Sequence, residues 1–184
     1  MVQEAIRHLP SKKTPGPDGI TNEVLKLCSS EIASHLADIA RACFKVGYHP
    51  KEFRNTITIV LRKEGKPDYS LPGSYRPIAL ENTLGKVIER LVADRLSTAI
   101  EEHALVPNSQ MGARRDRSAV SALSQLVDVV HTAWARNPKF IVSMLSLDLT
   151  GAFDRVSHDR LLWILRKKRL PEWIVKFVQA FLVD

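Results

Sequence analysis

Residues 74–96, SYRPIALENTLGKVIERLVADRL, join a short strand pattern to the clearest helical pattern in the chain. The segment PIAL at 77–80 favours a strand, and Asn82 precedes a helix whose apolar positions recur every three or four residues. These positions are Leu84, Val87, Ile88, Leu91, Val92, Leu96 and Ile100. Upstream, TITIVL at 56–61 is rich in β-branched residues and predicts another strand. We expect the two strands to pair antiparallel across the long loop that joins them.

The remaining pattern is mostly helical. Helices are predicted at 2–9, at about 22–28, from Ser30 to Gly47, from Ser118 to Arg136, from Ser157 to Arg169, and from Pro171 onwards. In the helix that Ser118 caps, the predicted inward positions are Val120, Leu123, Leu126, Val127 and Val130. A further strand is predicted at 140–149, FIVSMLSLDL, with a turn at Thr150–Gly151. The expected fold class is α/β in a mixed, helix-rich sense, with an incomplete sheet.

The charge balance favours a polyanionic partner. Lys and Arg outnumber Asp and Glu by 27 to 20 in 184 residues, a formal net charge of +7. Many of these cations lie in loops marked by Gly and Pro, where they can converge on a ligand. The chain has only two cysteines, no apolar run long enough to span a membrane and no secretory h-region at its start, so we expect a reducing, intracellular location.

Asp148 is the sharpest candidate for chemistry. It ends the predicted strand at 140–149, where its carboxylate and the carbonyl of Leu149 offer hard oxygen ligands for Mg²⁺. Phosphoryl transfer to a nucleotide uses two such metals to hold the attacking and leaving oxygens. The alternative is an ordinary turn aspartate, and one carboxylate does not make a two-metal site.

Lys63 and Arg76 form the second constellation. Lys63 follows the TITIVL strand and Arg76 precedes the PIAL strand, so an antiparallel pair would place both cations over one cleft. A triphosphate would suit them, since Arg offers a fork and Lys a point charge. The alternative is two solvated loop cations. The sequence contains no GxxxxGK[ST] phosphate loop, which argues against a P-loop NTPase.

Four blocks together resemble the reverse transcriptases of non-LTR retrotransposons. They are TPGPDGI at 14–20, SYRPIALENTLGKVIERLVADRL at 74–96, QMGARRDRSAVSAL at 110–123 and LDLTGAFDRVSHDRLL at 147–162. The blocks stand in the family's order, and the resemblance covers essentially the whole chain.

The resemblance implies a role for each candidate residue. Asp148 matches the first metal-binding aspartate of the polymerase palm, and Leu149 would lend its carbonyl to the same metal. Phe153 matches the aromatic gate beneath the incoming sugar, although by itself it would be taken for a core residue. Lys63 and Arg76 match the residues of the fingers that hold the triphosphate. The block on the template and nucleotide side is matched by Gln110, Gly112, Arg114 and Arg115.

The resemblance also implies an organisation and a set of partners. Residues 1–135 would be mainly fingers and 136–184 the start of a right-hand palm. An RNA template, a DNA primer, deoxynucleoside triphosphates and Mg²⁺ are the expected partners. The rest of the polyprotein, with its endonuclease, later palm and thumb, is expected beside them. The nucleus would be the site of action of such an element, and no membrane partner is expected.

The sequence departs from the family in three places. Ala113 stands where an aromatic residue is usual, and Arg62 stands where a proline is common. The later motif with paired aspartates does not occur, so we expect a truncated and inactive polymerase. Two alternatives stay open, a non-catalytic nucleic-acid-binding remnant and another right-hand polymerase such as an intron-encoded reverse transcriptase.

Overall fold

The two central strands form the hairpin that the sequence predicts. In a computed structural model that describes residues 1–149 and 151–183, β1 (Thr56–Arg62) pairs antiparallel with β2 (Tyr75–Glu81). The register places Ile59 opposite Ile78 and Leu61 opposite Arg76. Among the described residues this is the only sheet, so the fold is mixed α/β and rich in helix, as expected.

Besides this hairpin, the described residues form eight α-helices. They are α1 (Val2–Arg7), α2 (Asn22–Leu27), α3 (Ser29–Val46), α4 (Lys51–Arg54), α5 (Thr83–Glu102), α6 (Ala119–Arg136), α7 (His158–Lys167) and α8 (Glu172–Phe181) within the described residues. The chain divides into two compact units, a first unit of Met1–Arg95 with Leu162–Asp184 and a second unit of Leu96–Leu161. Whether the fingers end near residue 135 stays a prediction.

The first unit contains the hydrophobic core. Helix α3 packs against α1 and α8, and apolar side chains from α5 lie in the same cluster. The fully buried members include Ile6, Val87, Ile88, Ile174 and Val175. Gly47 ends α3 in the left-handed region at φ 65°, as the sequence predicts, because a residue without Cβ adopts that conformation without strain.

The TPGPDGI loop is bound to the start of α5. The Asp18 carboxylate accepts a hydrogen bond from the backbone N–H of Thr83 at 3.2 Å, and the Thr83 hydroxyl donates to the Ile20 carbonyl at 2.6 Å. Gly16 makes the approach possible, because a Cβ there would lie 2.4 Å from the backbone of Glu81. The loop therefore caps α5 from a distant part of the sequence.

The predicted bounds of helix α6 are confirmed, but its predicted burial is not. Ser118 caps it, with the hydroxyl oxygen accepting a hydrogen bond from the Ser121 N–H at 3.1 Å. The inward face predicted for Val120, Leu123, Leu126, Val127 and Val130 is wrong, because no residue of α6 is buried. An apolar stripe predicts a helix, whereas its burial needs an opposing surface that the described residues do not provide.

The prediction of a strand at 140–149 is also wrong. The segment has no regular secondary structure, and its apolar side chains, including Ile141, Leu145 and Leu147, are exposed. A strand exists only through hydrogen bonds to a neighbouring strand, and no partner for this segment lies in the described part of the chain. Of the turn expected at Thr150–Gly151, Thr150 lies outside the described residues.

Some helix boundaries differ from the prediction by small amounts. Helix α1 ends at Arg7, two residues before the predicted end at residue 9. Helix α3 begins one residue before Ser30, because Cys28 both ends α2 and precedes α3, and the Ser30 hydroxyl donates to Glu31 instead. Helix α7 ends at Lys167, two residues before Arg169, which adopts φ 58°. In the described part of the chain, no helix combines the length and apolar character needed to cross a bilayer.

Candidate functional site

The hairpin brings Lys63 and Arg76 to one end of the sheet. Arg76 is the second residue of β2 and lies opposite Leu61, while Arg62 lies opposite Tyr75. The ladder continues one step further, because the backbone N–H of Lys63 donates to the Ser74 carbonyl at 2.9 Å. The predicted antiparallel pairing thus places both cations at the same cleft.

This cleft, which we call the basic cleft, is lined by Arg62, Lys63, Glu64, Lys66 and Arg76 and encloses about 510 Å³. Four cationic side chains face one carboxylate there. Such an excess of positive charge attracts a polyanion of the size of a triphosphate. Arg76 is exposed, so its planar guanidinium is accessible to a ligand from solvent.

Aromatic side chains order the loop beside the basic cleft. The Tyr69 hydroxyl donates to the Lys63 carbonyl at 2.9 Å, and the Tyr75 hydroxyl donates to the Tyr69 carbonyl at 2.9 Å. The Arg62 guanidinium lies 5.2 Å from the centre of the Tyr69 ring, within the range of a cation–π contact. The Lys63 ammonium donates to the Gly73 carbonyl at 3.0 Å, which holds it across the loop.

Sequence reasoning missed Tyr69 and Tyr75 as supports of the cleft. The signal was available, since two tyrosines separate Lys63 from Arg76 in a loop otherwise rich in Gly and Pro. Their hydroxyls satisfy backbone carbonyls that a flexible loop would leave to water. The loop that joins the two strands is therefore ordered by its own side chains.

The second predicted region, residues 110–117, is held by Arg114. Its guanidinium forms a two-point ion pair with Glu101, at 2.9 Å from Nε to Oε1 and 2.6 Å from Nη2 to Oε2, and it also donates to the Pro107 carbonyl at 2.9 Å. The Arg114 side chain is only 4% exposed. Hydrogen bonds from Arg114 lower the pKa of Glu101, which keeps this carboxylate ionised. Arg114 thus fixes the loop to α5.

The neighbouring residues surround a cavity of mixed charge. Arg115 and Arg117 line a space of about 770 Å³ together with the carboxylates of Glu101, Glu102 and Asp116. The cavity lies in the second unit, between the end of α5 and the start of α6. Two guanidinium groups beside three carboxylates give it a weaker attraction for a polyanion than the basic cleft has.

Gln110 and Gly112 occupy the same loop. The backbone carbonyl of Gln110 accepts a weak hydrogen bond from Arg114 at 3.4 Å. Outside its immediate neighbours, no atom of the described residues lies within 4 Å of where a Cβ on Gly112 would stand, so this position is open on its side-chain face. The roles of Gln110, Gly112, Arg114 and Arg115 on the template side stay predictions.

Asp148, Leu149 and Phe153 are all exposed in the second unit. Phe153 is 95% and Leu149 80% exposed, so Phe153 is not a core residue of this structure. After Gly151 the chain turns, with the Arg155 N–H donating to the Gly151 carbonyl at 3.1 Å. Among the described residues, Asp148 belongs to no group of three or more metal-ligating side chains. These residues therefore do not form a complete site for two Mg²⁺ ions.

Comparisons with known proteins agree with the four sequence blocks. A family profile described as "Reverse transcriptase (RNA-dependent DNA polymerase)" matches residues 61–183. A probable RNA-directed DNA polymerase from transposon BS of Drosophila melanogaster is 37% identical over 183 residues, covering all of this chain and 20% of the relative.

Two further relatives extend this similarity. The RNA-directed DNA polymerase from mobile element jockey, also of Drosophila melanogaster, is 35% identical over 184 residues, covering all of this chain and 20% of the relative. A retrovirus-related Pol polyprotein from the type-1 retrotransposable element R1 of Bradysia coprophila is 28% identical over 171 residues, 93% of this chain and 16% of the relative. The chain spans about a fifth of the length of the first of these relatives.

Proposed function

Because the chain belongs to the reverse transcriptase family of non-LTR retrotransposons, we propose that it forms the fingers and the first part of the palm of a right-hand RNA-directed DNA polymerase. Its substrates would be an RNA template, a DNA primer and deoxynucleoside triphosphates. The remaining palm, the thumb and an endonuclease would come from other parts of the polyprotein. This substrate set implies an intracellular location.

The basic cleft carries the proposal for nucleotide binding. Lys63 and Arg76 are the residues that the family resemblance assigns to the triphosphate, and the hairpin register puts both at one cleft with Arg62 and Lys66. We assign the Arg76 guanidinium to two phosphate oxygens at once and the Lys63 ammonium to a third. Tyr69 and Tyr75 keep the loop in place before the nucleotide arrives.

A labelled deoxynucleoside triphosphate, followed by fluorescence anisotropy at low salt, tests this assignment. Arg76→Ala should weaken binding about tenfold, the cost of one charge-assisted hydrogen-bonding group, and Lys63→Ala should act in the same direction. Lys45→Ala is the matched control, since Lys45 is an exposed cation in the last turn of α3. The unphosphorylated deoxynucleoside should not compete.

Equal affinities for the cleft variants and the Lys45→Ala control would contradict the assignment of the cleft to the triphosphate. In that case single-stranded RNA should be titrated in place of the nucleotide. Binding of RNA without any preference for the triphosphate would favour a non-catalytic nucleic-acid-binding remnant.

Mg²⁺ would be held by Asp148 and the Leu149 carbonyl, together with groups that the described residues do not supply. One exposed carboxylate cannot hold two metal ions in a fixed geometry, so no catalytic step is assigned to these residues. We therefore expect no primer extension by the isolated 184-residue chain with Mg²⁺ and deoxynucleotides. Extension above background that Asp148→Ala abolishes would show that the chain holds a complete catalytic centre.

The remaining proposed contacts are to the template and the sugar. The loop of Gln110, Gly112, Arg114 and Arg115 would lie on the template side, where Arg114 acts by keeping the loop attached to Glu101. Phe153 would lie beneath the incoming sugar and disfavour a 2′-hydroxyl. Its exposure of 95% supports this, because an aromatic ring with so little cover from the described residues is available to a ligand.

A further inference from the structure

Three ligand-type side chains meet in the first unit, away from every residue assigned above. His49 lies between α3 and α4, Glu81 is the last residue of β2, and Glu89 is in the second turn of α5. One ligand atom from each of the three lies within 4.8 Å of the others. Among the described residues this is the only such group of three or more.

His49 is fully buried, yet neither ring nitrogen has a hydrogen-bond partner in the described part of the chain. Its side chain is 0% exposed, and the contact from Nε2 to Oε1 of Glu89 is 3.5 Å long. Oε1 of Glu89 is also buried without a hydrogen bond. Buried polar atoms in folded proteins nearly always have partners, so these atoms have unused capacity to bind a ligand.

The His49 ring is held by aromatic contacts instead of by hydrogen bonds. The ring centre lies 5.0 Å from that of Phe177, 5.6 Å from that of Phe181 and 6.3 Å from that of Phe53. Gly85 leaves room for Phe53 and Glu81, because a Cβ there would stand 2.9 Å from the Phe53 carbonyl oxygen and 3.2 Å from a carboxyl oxygen of Glu81. The ring is thus oriented before any ligand arrives, and the side chain of Glu89, which is 28% exposed, gives access from solvent.

The protonation states suit a cation. Burial lowers the pKa of His49 against the opposing charge of Glu81, and the charge of Arg54 acts in the same direction as burial. The neutral imidazole, which has a nitrogen lone pair for a metal, is therefore favoured. Burial and the neighbouring Glu89 raise the pKa of Glu81, so two ionised carboxylates are unfavourable at this place without a cation. A divalent ion would offset the negative charge of both carboxylates and compete with protons for them.

We propose that His49, Glu81 and Glu89 form a structural site for a divalent transition metal, with zinc as the preferred ion. One imidazole nitrogen and two carboxylate oxygens are a donor set that suits Zn²⁺, whereas Mg²⁺ prefers oxygen ligands alone. The ion would join the α3–α4 connection, the end of β2 and α5. Its role is to hold the base of the hairpin against the core.

The test uses the untagged chain after dialysis against EDTA. Isothermal titration with ZnCl₂ should show one equivalent bound, and the melting temperature should rise with zinc concentration because the ion binds only the folded state. Titration with Co²⁺ should give ligand-field absorption without a thiolate charge-transfer band, which excludes Cys28 and Cys43 as ligands. MgCl₂ at the same concentration should not raise the melting temperature.

Two variants at the site and one control complete the experiment. Glu81→Gln keeps the shape of the protonated side chain, and His49→Phe suits the aromatic surroundings, so at least one should fold by circular dichroism. Each should weaken zinc binding by at least about tenfold, the lower range for changes near a metal. His35→Gln, which alters an exposed histidine of α3, should bind zinc as the parent does. Absence of stoichiometric binding, or unchanged zinc affinity in a folded site variant, would overturn the proposal.

Discussion

Helices α5 and α6 carry similar apolar stripes but differ completely in burial. Helix α5 has 20 residues and buries Val87, Ile88, Leu91 and Val92, whereas α6 has 18 residues and buries none. Local sequence is enough to form either helix, since both have the same periodicity and α6 has a hydroxyl cap. Burial depends instead on which surfaces the rest of the chain brings to the helix.

The largest effect should come from truncating the same kind of side chain in each helix. Ile88→Ala removes a fully buried side chain and should lower the free energy of unfolding by about 2–5 kcal/mol. Leu123→Ala, at a position that is 62% exposed, should change it by less than about 0.5 kcal/mol. Urea denaturation followed by circular dichroism measures both. Equal losses would show that α6 is covered in solution.

A second prediction concerns the polar cluster beside the core of the first unit. The pKa of Glu81 is raised from 4.5 to about 9, chiefly by burial and then by Glu89. The folded chain therefore keeps a proton that the unfolded chain releases. This contribution to stability is fully present below pH 4.5 and is lost as the pH rises towards 9.

Glu81→Gln should flatten this dependence, because the amide does not titrate. Because one proton is involved, the substitution should reduce the slope of the unfolding free energy against pH by at most about 1.4 kcal/mol per pH unit. Unfolding free energies measured in EDTA at several pH values between those limits give the slope directly. Glu102→Gln, at an exposed position, should leave the slope of the parent unchanged. A parent slope identical to that of Glu81→Gln would show that Glu81 titrates normally in the folded chain.

The third prediction compares the cations of the second unit with one another. Arg115→Ala combined with Arg117→Ala should weaken binding to an RNA–DNA duplex and reduce the salt slope, by about 0.9 for each phosphate that the protein no longer neutralises. Arg114→Ala should chiefly loosen residues 103–117, since its guanidinium is occupied by Glu101. Filter binding across a salt series gives the slope, and limited proteolysis reports the loop. A slope unaffected by the double variant would assign these arginines a purely local role.

The smallest effect on stability is expected at Phe153. Because the ring is 95% exposed, Phe153→Ala should change the free energy of unfolding by less than about 0.5 kcal/mol. In a polymerase that joins this chain to a complete palm and a thumb, the same change should raise ribonucleotide incorporation relative to deoxynucleotide incorporation. The ratio of kcat/KM for the two sugars measures this. An unchanged ratio beside an unchanged Tm would remove Phe153 from the sugar site.

Much of the fold near the hairpin was predictable from the sequence. The strands at 56–61 and 77–80, their antiparallel pairing and the cleft of Lys63 and Arg76 all follow from local patterns, because a hairpin is built from contacts close in sequence. The helix beginning after Asn82 and the Ser118 cap are local in the same way. The prediction of a strand at 140–149 was wrong because a strand needs a partner strand, and the composition of the segment itself does not supply one.

The same distinction between local patterns and long-range contacts applies to the candidate site. The sequence by itself determined the family and the charge excess, and it named Lys63, Arg76, Asp148 and Phe153 as candidates, because these inferences depend on residue identity and order. Only the tertiary structure decided that Arg114 is bound to Glu101, that Asp18 caps α5 and that His49 meets Glu81 and Glu89. In each case the partners are separated by at least a dozen residues, and no local pattern encodes a contact over that separation.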